Sequence, residues 1–279
     1  MAGPCPDRPD QGPDRMGGVP RIIWQLWLQG WEGAPDLAQA SRRSWTRMNP
    51  GWEVRALDRA GLEAELAPET WARITATPAP PEAFSDIIRL ELLARHGGVW
   101  ADATTLCARP LDQWIDHAVG PGFFALSDPG GGRPLASWFL AATREDYIIA
   151  AWRRAMEDYW QGRTTRDAYF WVHNLFGKLL RADPDFAARW AQAERVPAQH
   201  AFHFGPGDGA LRARAPEDLD ARLAHPPAPV FKLTHKFRRR PGPRSLFRAL
   251  VGWGMTGTLP PAPVPWYAPE RWFGGNGAA

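Results

Sequence analysis

The sequence predicts an α/β sandwich, and three observations predict it. Short apolar, aromatic runs such as RIIWQLWL (Arg21–Leu28) end at glycine or proline, as buried strands do. Longer stretches with apolar residues three and four apart, such as Phe84–His96, lie between such runs. The two kinds alternate along 279 residues, with no internal repeat and no long linker, which is the order of a layered α/β domain.

Taken in order, residues 1–19 are polar and proline-rich and read as a flexible arm. They carry no apolar core of a signal peptide, so the expected location is cytoplasmic. Residues 20–240 read as the main domain. Arg21–Leu28 is its first strand, and Asp36–Met48 is a helix stopped by the Asn49-Pro50-Gly51 turn. Trp52–Leu57 alternates as a second strand. Arg59–Leu66 and Glu69–Thr75 are helical, and Pro78–Pro81 breaks the chain. Phe84–His96 is the clearest helix, capped by Ser85 or Asp86 and stopped by Gly97-Gly98. Val99–Ala101 forms a short buried strand that delivers Asp102, Thr104–Leu106 leads out to Pro110, and Phe123–Leu126 is a further strand. Helices are predicted over Ser137–Thr143, Tyr147–Tyr159, Tyr169–Arg181 and Phe186–Ala193, and a late strand over Val230–Thr234. Residues 241–279 read as a Pro/Gly-rich basic tail holding one amphipathic stretch, Arg244–Trp253.

Composition removes several classes of function. No apolar run reaches the roughly 18 residues of a membrane-spanning helix. Two cysteines, Cys5 and Cys107, are too few for a disulfide scaffold or a cysteine-rich zinc site. Net charge is +3, too small to mark a nucleic-acid binder. Eight basic and no acidic residues lie between Ala221 and Pro269, however, which leaves the rest of the chain net acidic. That asymmetry suits an anionic partner: a diphosphate, an acidic glycan or a lipid headgroup. The basic Arg244–Trp253 stretch also suits peripheral contact with the inner face of an anionic membrane, where lipid-linked acceptors reside. Trp outnumbers Tyr by 16 to 4. Indole packs well on sugar C–H faces and on nucleobases, although any single Trp is more readily a core residue.

The block that carries chemistry is FSDIIRLELLARHGGVWADATTL, Phe84–Leu106. Asp86 and Arg89 lie three apart and share one helix face near the expected N-terminus, where an Arg fork can hold phosphate or a sugar hydroxyl. Asp102 follows a buried strand at its C-terminal end, the edge at which open α/β sheets bind ligands. A carboxylate there is a hard oxygen ligand for Mg²⁺ or Mn²⁺. Taken separately, the first pair reads equally as a surface ion pair and Asp102 as a turn carboxylate. Their order along helix, glycines and strand favours a site.

This block resembles the core of the capsular polysaccharide synthesis glycosyltransferases, which are similar to glycosyltransferase family 32 and its Ser-Asp-x-x-Arg, then Gly-Gly-x-aromatic-x-Asp-x-Asp signature. RIIWQLWLQG, SWTRMNPGWEVRALD, PLDQWI, SWFLAA, DAYFWVHNLF and VFKLTHK resemble other blocks of that group in order, so the likeness runs from about Pro20 to Lys236. It implies a GT-A-type, Rossmann-like nucleotide-sugar-binding fold with added helices. It also implies a hexosyltransferase that retains anomeric configuration and moves a sugar to a glycan or lipid-linked glycan acceptor. By position, Trp27 lies against the nucleobase, with Gln25 in the same nucleotide-sugar site. Asp86 and Arg89 hold sugar and diphosphate, and Trp100 packs beside the ribose. Asp102 serves as the catalytic-site carboxylate on ribose and metal. Ser137 touches the donor sugar, and Lys232 and His235 approach the diphosphate. A divalent metal (Mn²⁺ or Mg²⁺) is implied at Asp102 and Thr104. Trp24 stands where family 32 has His, and Thr104 where it has the second metal Asp. Spacing names no catalytic base, and Asp167, His173, His203 and Asp208 stay open. A carbohydrate-binding protein and a catalytically degenerate transferase are the competing readings.

Overall fold

The computed structural model describes residues 18–201, 209–226 and 228–257. Its elements run β1 (Ile22–Leu26), α1 (Asp36–Met48), β2 (Glu53–Leu57), α2 (Arg59–Glu65), α3 (Pro68–Ala76), α4 (Pro81–His96), β3 (Gly98–Ala101) and β4 (Thr105–Cys107). A 3₁₀ turn at Leu111–Gln113 leads to α5 (Ile115–Val119), β5 (Phe123–Ser127), β6 (Leu135–Ala142), α6 (Tyr147–Trp160), α7 (Trp171–Ala182) and α8 (Pro184–Gln192). The described chain closes with α9 (Ala198–Ala201), α10 (Gly209–Arg212), α11 (Leu219–Ala224), β7 (Val230–Lys232) and α12 (Leu246–Thr256).

Five strands form the main sheet in the order β2-β1-β3-β6-β5. β1 is parallel to both β2 and β3, whereas β6 is antiparallel to β3 and β5. β4 and β7 make a separate antiparallel pair. Both faces of the main sheet are covered. Trp24, Trp100 and Leu140 face a core built with α4, α6, α7 and α8, while Ile23, Val99 and Phe139 face one built with α1 and α5. Double coverage explains why β3, β5 and β6 read as unbroken apolar runs, whereas the edge strand β2 alternates.

Three expectations are corrected. SWFLAA is strand rather than helix: all eight residues of β6 are buried, and a strand buried on both faces shows no alternation to separate it from a buried helix. Helix α4 starts at Pro81, because proline's fixed φ suits the first helical position. Asp86 and Arg89 therefore sit one to two turns inside the helix, not at its N-terminus. The boundary at residue 240 also falls inside the packed body. Leu246, Phe247, Leu250 and Val251 of α12 are buried with Leu37 and Ala40 of α1, so this helix uses its apolar face internally. Among the described residues no helix is long and apolar enough to cross a membrane.

The tryptophans are chiefly structural. Trp24, Trp45, Trp100, Trp114, Trp152 and Trp171 are all essentially inaccessible. Several reach across the chain to backbone carbonyls, as Trp24 Nε1 does to Gly97 O at 2.9 Å and Trp45 Nε1 to Thr105 O at 2.8 Å. Burying the ring while bonding its one donor satisfies both halves of the side chain.

Candidate active site

The parallel strands β1 and β3 end side by side, and the chain leaving each turns into an open cavity of about 660 Å³. That volume suits a ligand of several rings. The N-terminal half of α4 forms one wall, the start of β6 another, and the chain after β7 a third. At the glycine stop, Gly97 and Gly98 take φ of +65° and +94°, which folds α4 back along β3 and sets Asp102 at the cavity floor.

Asp86, Arg89, Asp102, Ser137 and Lys232 converge in one ionic network. Arg89 Nη1 lies 2.6 Å from Asp86 Oδ1 and donates to Ser137 Oγ at 2.6 Å. Its Nη2 donates to Asp102 Oδ1 at 3.1 Å, and the same oxygen accepts Trp100 Nε1 at 2.9 Å. Lys232 Nζ donates to Asp102 Oδ2 at 2.7 Å and to Thr104 Oγ1 at 2.7 Å. Burial pushes the Asp86 carboxyl up to about 6, against the pull of Arg89. Burial acts the same way on Asp102, but Lys232 and Arg89 together outweigh it and hold that carboxyl below its ordinary value. The two carboxylates thus differ in character: Asp102 is held toward its anionic form, whereas burial favours the neutral form of Asp86.

Trp27 is half-buried on the cavity wall, with its ring edge-on to the exposed His235 at 6.1 Å between centroids. Gln25 does not line the cavity. It is fully buried, and its Nε2 donates to Ser41 Oγ at 2.8 Å, because alternation along β1 turns it to the α1 side. Trp100 lines the cavity. The residue is 1% exposed, with Arg89 5.2 Å over its ring, and its indole N–H positions Asp102. Of the open base candidates, His173 lines the cavity, Asp167 accepts from Tyr159 Oη at 2.6 Å in an adjoining recess, and His203 and Asp208 lie outside the described residues.

The sequence reading missed the cavity's outer rim. Tyr169 and Phe170 are the exposed large hydrophobics of the described chain, at 57% and 40%, and both line the mouth. Arg133 lies over the Phe170 ring at 4.1 Å and Arg166 over Tyr169 at 5.0 Å. Adjacent aromatics directly ahead of a strongly amphipathic helix were the available signal.

Burial, with Arg89 and Arg133 nearby, lowers the His173 pKa from 6.5 to about 3. The folded imidazole stays neutral where the unfolded one takes a proton, so this residue removes stability as pH falls through 6.5. Linkage puts the loss at about 2 kcal/mol by pH 5. Urea denaturation at pH 7 and pH 5 should show it, and H173N should flatten the difference by about that amount.

A family model described as "Capsular polysaccharide synthesis protein" matches residues 10–242. "Glycosyltransferase afumC" of Aspergillus fumigatus is 30% identical over 163 residues, covering 52% of this chain and 42% of its own. "O-glycosyltransferase braB" of Annulohypoxylon truncatum is 27% identical over 161 residues, covering 51% and 38%. The chain thus spans less than half the length of either relative. Among solved structures, the apo-form glycosyltransferase GlyE of Streptococcus pneumoniae TIGR4 superposes with a TM-score of 0.52 at 10% identity, over 85% of this chain and 60% of that one. That likeness concerns the fold, which is GT-A-like. Because the family model spans most of the sequence, from the chain ahead of β1 to beyond β7, the protein belongs to the capsular polysaccharide synthesis family, a group similar to glycosyltransferase family 32.

Proposed function

We propose that this protein transfers a sugar from a nucleotide-sugar donor to a hydroxyl of a glycan acceptor, in the making of capsular or other cell-surface polysaccharide. The observation that carries the proposal is the convergence of Asp86, Arg89, Asp102, Ser137 and Lys232 on one cavity at the C-terminal edge of β1 and β3. Arg89 and Lys232 supply fixed positive charge where a departing nucleoside diphosphate develops negative charge, and fixed charge needs no reorganisation during transfer. Ser137 and Asp86 offer acceptors and a donor for sugar hydroxyls, which form the discriminating contacts in such sites. Trp27 gives the nucleobase a ring face, and the Tyr169–Phe170 rim gives the acceptor an apolar surface beside the opening. Hexosyl transfer with retention rests on the family likeness. A pure carbohydrate-binding surface is disfavoured, because it needs exposed stacked indoles and most of these indoles are buried.

Purified protein incubated with a panel of UDP- and GDP-sugars, with and without Mn²⁺ and with glycan acceptors, should release nucleotide from at least one donor. Binding without release under every condition would leave a degenerate transferase. Trp27→Ala should raise the donor KM about tenfold and change kcat much less, since base–aromatic stacking is worth about 1–3 kcal/mol. An unchanged KM would remove Trp27 from the donor site.

A further inference from the structure

Asp102 and Thr104 are the two positions at which the family likeness implies a divalent metal, and the residues present do not fit one. The space between Asp102 Oδ2 and Thr104 Oγ1 is taken by the Lys232 ammonium, at 2.7 Å from each. A divalent ion bound by the same two oxygens would have to displace that ammonium or sit against a like charge. The donor set is also weak. Thr104 contributes a neutral hydroxyl, and among the described residues no group of three or more His, Cys, Asp or Glu side chains could hold a metal.

The lysine is delivered there by backbone pairing rather than by a chance rotamer. β7 runs antiparallel to β4 with Thr105 opposite Lys232, and Leu233 N donates to Thr104 O at 2.9 Å. This register holds the Lys232 backbone beside the Asp102–Thr104 turn. The side chain is 14% exposed and passes the Trp138 ring at 5.7 Å. On the other side of Asp102, Arg89 supplies a second cation that cannot be deprotonated.

We infer that Lys232 takes the place of the divalent metal, so that this site binds the diphosphate of its donor through Lys232 and Arg89 without a metal ion. The inference rests on the donor reading given above. An ammonium is a compact point charge with three donors, so it can hold Asp102 and Thr104 while presenting its remaining charge to a phosphate oxygen. The substitution also accounts for Thr104. With a lysine fixed at this point a second carboxylate is not needed to hold a metal, and a hydroxyl satisfies one of the lysine's protons.

The test is equilibrium binding of UDP and of GDP to the full chain, followed by isothermal titration calorimetry in excess EDTA and again in Mn²⁺. The expected result is binding of at least one nucleotide with a Kd that agrees within about threefold between the two buffers. Lys232→Met should then weaken that binding in EDTA by tenfold or more, the scale of one lost charge-assisted contact. Its melting temperature, measured alongside, separates this from unfolding. Wild-type binding that is lost in EDTA and restored by Mn²⁺ overturns the inference while keeping the donor reading, as does a folded K232M that binds like wild type. Absence of binding by either nucleotide in both buffers overturns the donor reading, and the inference with it. Should K232M fail to fold, the comparison of EDTA with Mn²⁺ on the wild-type protein decides.

Discussion

The D102N variant is expected to lose turnover by a hundred- to a thousandfold and stability by about 3 kcal/mol. Among the described residues Asp102 is the carboxylate tied to both Arg89, at 3.1 Å, and Lys232, at 2.7 Å. Arg89 and Lys232 are only 5% and 14% exposed, so water replaces a lost carboxylate partner poorly. Asparagine keeps the shape and one acceptor, but it presents an N–H₂ where an oxygen now receives a proton. Alanine is a poorer test, since it also removes every acceptor that Arg89, Trp100 and Lys232 now use at this position and so confuses loss of fold with loss of chemistry. Nucleotide release should be measured well below the melting temperature, beside a thermal melt of the same preparation. Turnover within about threefold of wild type would exclude Asp102 from the reaction.

Gly98→Ala should cost about 3–5 kcal/mol, a large effect for a single methyl group. Gly98 opens β3 with φ of +94°, a conformation that an L side chain rarely adopts. A Cβ there would also meet Ile22 O at 2.6 Å, and that oxygen belongs to the neighbouring strand β1. The backbone cannot yield without opening the pairing of Ile23 with Val99. Gly97 is similar but milder, with backbone atoms of Ala142 and Arg144 at 3.0 Å. A melting temperature lowered by about 10 °C, or insoluble expression, is the expected outcome. A melt within 2 °C of wild type would show that α4 and β3 can part without loss of the sheet.

The two variants test different layers of one arrangement. The glycine pair sets where the chain turns, and the turn sets where Asp102 points. A weakened G98A protein that still folds should therefore also lose donor affinity, although position 98 touches no ligand.

Much of this was legible in the chain itself. The apolar runs, the Asn49-Pro50-Gly51 turn and the glycine stop marked β1, α1, β2, α4 and β3, because local sterics and burial act over only a few residues. The spacing of Asp86, Arg89 and Asp102 marked the block that lines the cavity. Strand β6 was hidden, since burial on both faces erases its period, and so were the rim at Tyr169–Phe170 and the exclusion of Gln25. What the sequence alone determined is the type of the elements with a clear period or stop signal, β1, α1, β2, α4 and β3, and which residues carry charge. Only the tertiary structure decided that Lys232 lies between Asp102 and Thr104, because the β4–β7 pairing brings it to side chains 130 and 128 positions away and no local pattern encodes so distant a contact.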